Sequence, residues 1–362
     1  MPIYILLLKK TLTLLMMCFC ATVVSQTVRS YSNEFLNIGV DAAALGMSNA
    51  VVAGTQDVNA GYWNPAGLTQ LEDNQISLMH ASYFANIANY DYIAFAKPLD
   101  DLSAMGLSII RFGVDDILNT TQLIDEQGNI DYNRISLFST ADYAVTFSYA
   151  RALPLDGLNL GVNAKVVRRV IGDFANSWGF GLDVGLQWKK NNWDFGVMAR
   201  DISTTVNAWS IDEEEFATIS AAVEGQNQEV PETREITIPK LQMGLGRKWI
   251  FSYDYSLRAE IDLNVRFTQT NDFFSSSSLS ATPAVGFEFG YAELVYVRGG
   301  VGNFQELTSL DNSSTIGFQP NIGVGFEYKG IHVDYALTDI GDQSAAIYSN
   351  VFSVTLDWGL FR

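Results

Sequence analysis

From Gln75 onward, apolar positions alternate with polar or small ones. Residues 257–267 show the pattern most clearly. Leu257, Ala259, Ile261, Leu263, Val265 and Phe267 fall on one parity, and Arg258, Glu260, Asp262, Asn264 and Arg266 on the other. Successive side chains of a strand point to opposite faces, so this segment has one wholly apolar and one wholly polar face, whereas a helix would scatter its charges all round. Residues 178–189 repeat the pattern, with Trp178, Phe180, Leu182, Val184, Leu186 and Trp188 opposite Gly179, Gly181, Asp183, Gly185 and Gln187. Residues 285–291 and 352–358 do the same. Extended along the chain, the alternation predicts strands at 75–84, 88–98, 102–113, 142–151, 157–170, 177–189, 193–202, 236–250, 256–268, 282–291, 294–302, 318–328, 331–338 and 348–361.

Most of these segments are longer than the roughly five or six residues of a strand in a soluble sheet. They match the ~9–11 tilted residues that cross a bilayer. Trp178, Trp188, Trp193, Trp249, Tyr291, Tyr328 and Trp358 stand at segment ends, where membrane barrels carry interfacial aromatics. The connections alternate in length. Residues 99–101, 152–156, 190–192, 251–255, 292–293 and 329–330 are short, while 114–141, 203–235, 269–281, 303–317 and 339–347 are longer. Short periplasmic turns alternating with longer outer loops are the parity of an outer-membrane barrel. Two outer connections, at 85–87 and 171–176, are short exceptions. The expected fold is all-β: a transmembrane antiparallel β-barrel of about fourteen strands, with both ends of the barrel on the periplasmic side. A large soluble β-sandwich or lipocalin-like shell is the alternative.

Composition supports the membrane reading. Apolar residues make up 48% and charged residues only 17%, against roughly 25% charged in a soluble domain. Residues 1–25 read as a signal peptide: Lys9 and Lys10, an apolar core and a small residue before Gln26. A retained anchor, or a lipoprotein cut before Cys18 or Cys20, are the alternatives. Both cysteines lie in this segment, so the mature chain would have no thiol chemistry. The segment holds two lysines and no acids, so its removal takes the net charge from −18 to −20. Such an acidic chain is a poor nucleic-acid binder.

Residues 26–74 lack the alternation, and 37–54 are rich in Ala, Gly and other small residues. The expected organisation is a hatch over 26–74, with one short helix and compact turns packed inside a barrel formed by 75–362. Within the hatch the run Ala44-Leu45-Gly46-Met47-Ser48 precedes Gly61-Tyr62-Trp63-Asn64-Pro65-Ala66-Gly67-Leu68. This segment resembles the N-terminal part of the PorV/PorQ family, itself similar to the FadL-type transporters, which share the Asn-Pro-Ala element in an N-terminal hatch. The resemblance extends through the strand count over nearly the whole mature chain. It implies a Bacteroidetes-type outer membrane and a protein-binding role in type IX secretion or gliding, with a translocon or exported surface protein as partner. For FadL-like relatives it implies passage of hydrophobic molecules through the barrel wall.

Candidate residues follow from these two levels. Trp63, Asn64, Pro65, Ala66, Gly67 and Leu68 form a turn expected to anchor the hatch at the periplasmic rim, because proline and glycine fix backbone choices there. Asn163, Lys165, Asp183, Arg258, Glu260, Asp262, Asn264, Arg266, Glu288, Asp334 and Asp357 should face the lumen, as internal ion pairs or as a transport path. Asp212, Glu213, Glu214 and Glu215, with Glu224, Glu229 and Glu232, lie in the longest loop and are candidates for a partner contact, for a divalent cation or for plain solvation. His80 and His332 are far apart in the chain. No zinc-like cluster, catalytic triad or cofactor motif is expected, and no enzymatic activity. The surround is outer-membrane lipid.

Overall fold

The computed structural model describes residues 32–124, 128–214, 217, 233–252, 254–308, 314–338 and 348–361. The expected signal peptide at 1–25 lies outside these residues, as do Glu215, Glu224, Glu229 and Glu232. The strands are β1 (Gln75–Tyr83), β2 (Ala88–Asp100), β3 (Ser103–Asn119), β4 (Ser136–Ala152), β5 (Leu158–Ile171), β6 (Ala175–Lys190), β7 (Trp193–Arg200), β8 (Thr205–Ile211), β9 (Arg234–Thr237), β10 (Lys240–Ile250), β11 (Tyr255–Arg266), β12 (Phe274–Ser275), β13 (Ser280–Tyr291), β14 (Val295–Thr308), β15 (Ser314–Tyr328), β16 (Ile331–Thr338) and β17 (Ser349–Asp357). All neighbours are antiparallel, and β17 pairs with β1 from Gln75↔Asp357 to Ser82↔Asn350, which closes the sheet. The result is a barrel of fourteen wall strands.

The remaining three strands are local additions. β8 continues β7 along the same neighbour, β6, and β9 continues into β10. The wall here is interrupted in two adjacent strands. Asp201–Thr204 bulges between β7 and β8, opposite Ile238 and Pro239 between β9 and β10. The proline has no amide hydrogen for the ladder, so pairing breaks there. The expected strand ends at 202 and 236 are corrected accordingly, and the loop expected at 203–235 is partly strand. β3 and β4 also run further than the alternation indicated. A bulge between Val114 and Ile117 shifts the phase of β3, so its inward and outward parities are exchanged beyond it while β4 keeps its own. At the other end the last strand stops at Asp357 instead of 361. The Trp358 amide donates to the Asn74 carbonyl at 2.7 Å, and a short 3-10 turn over Trp358–Phe361 replaces the strand.

The two faces of the wall are inverted relative to a soluble sheet. Ile93, Phe95, Leu107, Phe147, Phe180, Phe287 and Val324 are exposed on the outside, while Asn163, Lys165, Asp183, Glu260 and Asp262 are buried inside. Only lipid makes such an outside favourable. Near the short-turn end, Arg247 packs over Trp193 and Trp249 at 4.7 and 5.2 Å, and Lys190 over Trp188 at 5.4 Å. Cations seated on rings at the strand ends are how long basic side chains settle at a membrane interface.

Inside the wall runs the segment 32–74. It forms a 3-10 turn at Glu34–Asn37, helix α1 (Ala42–Gly46), helix α2 (Ala60–Trp63) and a second 3-10 turn at Pro65–Gln70. Its residues Val40, Leu45, Tyr62, Trp63 and Leu68 share one buried core with Met79, Tyr90, Tyr92, Ile110 and Val351 of the wall. Close approach on the other side depends on wall glycines. A Cβ on Gly161 would lie 2.2 Å from the Ala66 amide nitrogen, and one on Gly196 would lie 2.4 Å from the Val52 carbonyl. The small residues of the hatch and the glycines of the wall are two halves of one fit.

Candidate functional site in the plugged lumen

The hatch is held by polar side chains reaching in from the wall. Asp262 accepts the Val51 and Val52 amides, both at 3.0 Å. Two residues along β11, Glu260 accepts those of Ala53 and Gly54 at 2.6 and 3.3 Å, with Arg258 beside it at 3.1 Å. Gln187 donates to the carbonyls of Val52 and Thr55, and Asn163 to that of Gly61 at 2.9 Å. Hydrogen bonds to charged groups contribute about 1.5–3 kcal/mol each. Two neighbouring carboxylates of β11, Glu260 and Asp262, thus dock one short stretch of hatch backbone.

The Trp-Asn-Pro-Ala-Gly-Leu segment plays a related part, at a different height from that expected. Asn64 is fully buried and donates to the Val52 and Leu186 carbonyls, both at 3.0 Å. Its own backbone is extended (φ −160°, ψ 102°), as a following proline requires. Pro65 opens the 3-10 turn, and the Trp63 indole donates to the Val40 carbonyl at 3.1 Å. Gly67 is needed because a Cβ there would sit 2.3 Å from the Thr55 carbonyl. Leu68 is enclosed, with Gly106 of β3 beside it. Wall partners such as Gly106, Gly161 and Leu186 lie several residues up their strands from the short turns, so the motif anchors the hatch within the lumen instead of at its rim.

Of the other lumen candidates, most form closed ion pairs. Lys165 bridges Asp183 at 2.8 Å and Asp201 at 2.6 Å, which pins the inward bulge of β7–β8. Arg298 joins Glu288 and Asp334. Asp357 accepts from Gln75, and His332 lies between Asp357 and Glu327. Asn264 accepts from Gln242 at 2.5 Å. Arg266 stands apart, with no carboxylate in ion-pair range among the described residues. In the long outer loop Asp212, Glu213 and Glu214 are exposed; Asp212 accepts the Glu214 amide at 3.0 Å, and the candidate Glu215 is outside the described residues. His80 is on the outer wall, 2.7 Å from Asp91.

The hatch leaves two cavities. On the short-turn side a volume of about 740 Å³ is lined by Asp41, Asp57, Glu288, Arg298, His332 and Asp334, among others. Burial and then the negative charges of Asp334 and Asp57 push the Asp41 carboxyl up to about 7, against the Ser353 hydroxyl and Arg298. Burial raises Asp57 as well. On the loop side a volume of about 380 Å³ lies between hatch and wall. Tyr62, Trp63, Tyr83 and Phe112 border it, and so do Arg200, Lys240 and Arg266. Among the described residues no acidic side chain lines it. A smaller recess beneath Ile238 and Pro239 shares Asn37, Arg200, Lys240 and Arg266 with this cavity, so the wall interruption lies beside it.

Arg200 and Lys240 were not among the residues expected from the sequence. Both sit on the polar parity of their strands, with Met198 and Gly196, and with Gln242 and Gly244. That signal was available, but it separates lumen from lipid and does not rank lumen residues.

No family model matches the chain, and no curated protein does. Solved structures do. A Pseudomonas aeruginosa FadL homologue is 12% identical, over 88% of this chain and 98% of that one, with a TM-score of 0.50. The Ralstonia pickettii toluene transporter TbuX is 13% identical over 88% and 98%, at 0.50. The P. putida toluene transporter TodX is 11% identical over 88% and 99%, at 0.55. The fold is FadL-like. At these identities the likeness is one of architecture, and together with the apolar outer wall it supports an outer-membrane location.

Proposed function

We propose that this barrel admits small, partly apolar molecules across the outer membrane, through its lumen and past the hatch. The observation that carries the reading is the loop-side cavity. It is large enough for a small ligand, it is bordered by five aromatic side chains, and it abuts an interruption of the wall. Two of the solved structures with this architecture are toluene transporters, which supports a hydrophobic cargo. Crystals soaked with iodobenzene test this by anomalous scattering. Iodine beside Tyr62, Trp63 and Phe112 is the expected result, and iodine confined to the lipid-facing surface contradicts it.

A second reading rests on the resemblance of the Trp63–Leu68 segment to the PorV/PorQ family: a protein-binding part of the type IX secretion or gliding machinery in a Bacteroidetes-type outer membrane. The tall β3–β4 hairpin and the acidic Asp212–Glu214 stretch would be its contact surface. Affinity purification from native membranes should then recover a large translocon barrel or exported cargo, and recovery of this chain alone would count against it.

A further inference from the structure

The loop-side cavity is charged in a way that passage of a neutral hydrocarbon does not require. Register places Lys240 directly opposite Arg200 on one side and directly opposite Arg266 on the other. Like charges facing each other across strands destabilise a sheet. Lys165, Arg258 and Arg298, elsewhere in the lumen, each have an acid partner. Arg200, Lys240 and Arg266 have none among the described residues. The nearest acids are otherwise engaged: Asp201 with Lys165 and Thr205, and Glu34 with the Asn37 amide. In a chain of net charge −18, a row of three basic side chains with no acid partner among the described residues is a local violation of the kind that marks function.

The geometry around the row is that of a receptor. Arg200 is clamped, its Nε donating to Gln242 at 2.6 Å, one Nη to the Tyr62 carbonyl at 2.9 Å, and its plane 4.4 Å from the Tyr62 ring. Its other donors are left over. On the hatch side of the cavity the Ser48 hydroxyl is buried (5% exposed) without a hydrogen-bond partner, and the Asn49 side-chain carbonyl is likewise unpaired. Both residues hold a left-handed backbone (φ 54° and 65°) that non-glycine residues adopt at a cost. Trp63, Tyr83 and Phe112 give the same cavity an apolar edge.

We infer that this cavity binds a compact organic anion carrying two or more negative charges on a partly apolar body, a dicarboxylate being the simplest case. The inference rests on the lumen being a small-molecule path and names the class of molecule that path accepts. The row of cations takes the charges, Ser48 and Asn49 take polar substituents, and the aromatic edge takes the ring or chain. Neutral hydrocarbons would leave the cations unpaired, and a monoanion would satisfy only part of the row.

Isothermal titration of the full mature protein in neutral detergent at low salt, with phthalate, benzoate and toluene as probes, tests this. Phthalate should bind about tenfold or more tighter than benzoate, and more weakly as salt is raised. Arg266→Gln should weaken phthalate about fivefold or more, as loss of one contact in a charged cluster does, while Arg266→Lys retains binding. Arg111→Gln, at a cation on the outer wall beside Asp91 and Asp115, should change nothing. Lys240→Gln serves if Arg266→Gln does not fold. Equal binding of benzoate and phthalate, or indifference to Arg266→Gln, overturns the inference. Toluene binding without phthalate overturns it and leaves the proposed function standing; binding of neither probe overturns both.

Discussion

The lumen has two halves that use charge in opposite ways. On the short-turn side, acids and cations are bonded to one another or to the hatch: Glu260 and Asp262 accept from its backbone, and Arg298 joins Glu288 and Asp334. On the loop side, Lys240 faces Arg200 and Arg266 with no acid lining their larger cavity among the described residues. The difference separates two roles for buried polarity. Paired groups give the hatch one position, since an anchored carboxylate specifies a partner it cannot leave cheaply. Basic groups with no acid partner among the described residues are placed to take one from a ligand.

If that division is right, removing the carboxylates that anchor the hatch should move it, and removing Arg266 should not. The largest effect belongs to Glu260→Ala. It strips the Ala53 and Gly54 amides of their acceptor and leaves Arg258 buried without its partner, a loss of about 3–5 kcal/mol. Protease cleavage within the hatch, absent or slow in the native protein, should become rapid while the barrel stays heat-resistant on gels. Unchanged protection would mean that the β11 contacts do not hold the hatch.

A smaller effect comes from Asp41, whose carboxylate caps α1 through the Ala43 amide and accepts from Ser353 at 2.8 Å. Its value near 7 in the docked hatch lies above the ordinary 3.8, so the docked state holds a proton that the free segment releases. Docking is therefore strongest below about pH 4 and weakens as pH rises to about 7, by up to ~1.4 kcal/mol per pH unit for one proton. The raised Asp57 works in the same direction. Amide exchange over the hatch, corrected for its intrinsic rate, should show less protection at pH 7.5 than at pH 5, and Asp41→Asn should flatten the difference. Protection that rises with pH would contradict the assignment.

The smallest effect is expected at Arg266, on the loop side. Arg266→Gln removes one like-charge contact and no ion pair, so barrel stability should be unchanged or higher by up to about 1 kcal/mol in urea unfolding from lipid vesicles. A loss of several kcal/mol would place Arg266 among the anchors and erase the contrast between the halves.

Much of this was legible in the sequence, and the legible part has a common cause. Alternation over β11 assigned Arg258, Glu260, Asp262, Asn264 and Arg266 to the lumen because lipid outside and polar groups inside leave no other parity. The connections at 190–192 and 329–330 were short enough to fix the neighbours they join. The failures lie where parity changes or is not the controlling rule. The Val114–Ile117 bulge exchanges faces partway along β3, so the outer hairpin looked like loop. Asp201–Thr204 and Ile238–Pro239 break the wall for reasons of pairing, which no single segment shows. The motif around Asn64 could be read as a rigid turn, but its depth depends on glycines such as Gly161 and Gly196 in distant strands. The cation row is hidden for the same reason: Arg200, Lys240 and Arg266 become neighbours only through the registers of β7, β10 and β11. The family resemblance, too, reaches the fold more firmly than the partner.

The central claim is that the hatch closes the lumen and leaves a loop-side cavity as the place where molecules are taken up. Single-channel recording of the intact mature protein in a planar bilayer tests it most directly. A barrel plugged by residues 32–74 should pass no steady ion current, and Glu260→Ala should open frequent, large transitions. A stable open conductance in the native protein would contradict the account.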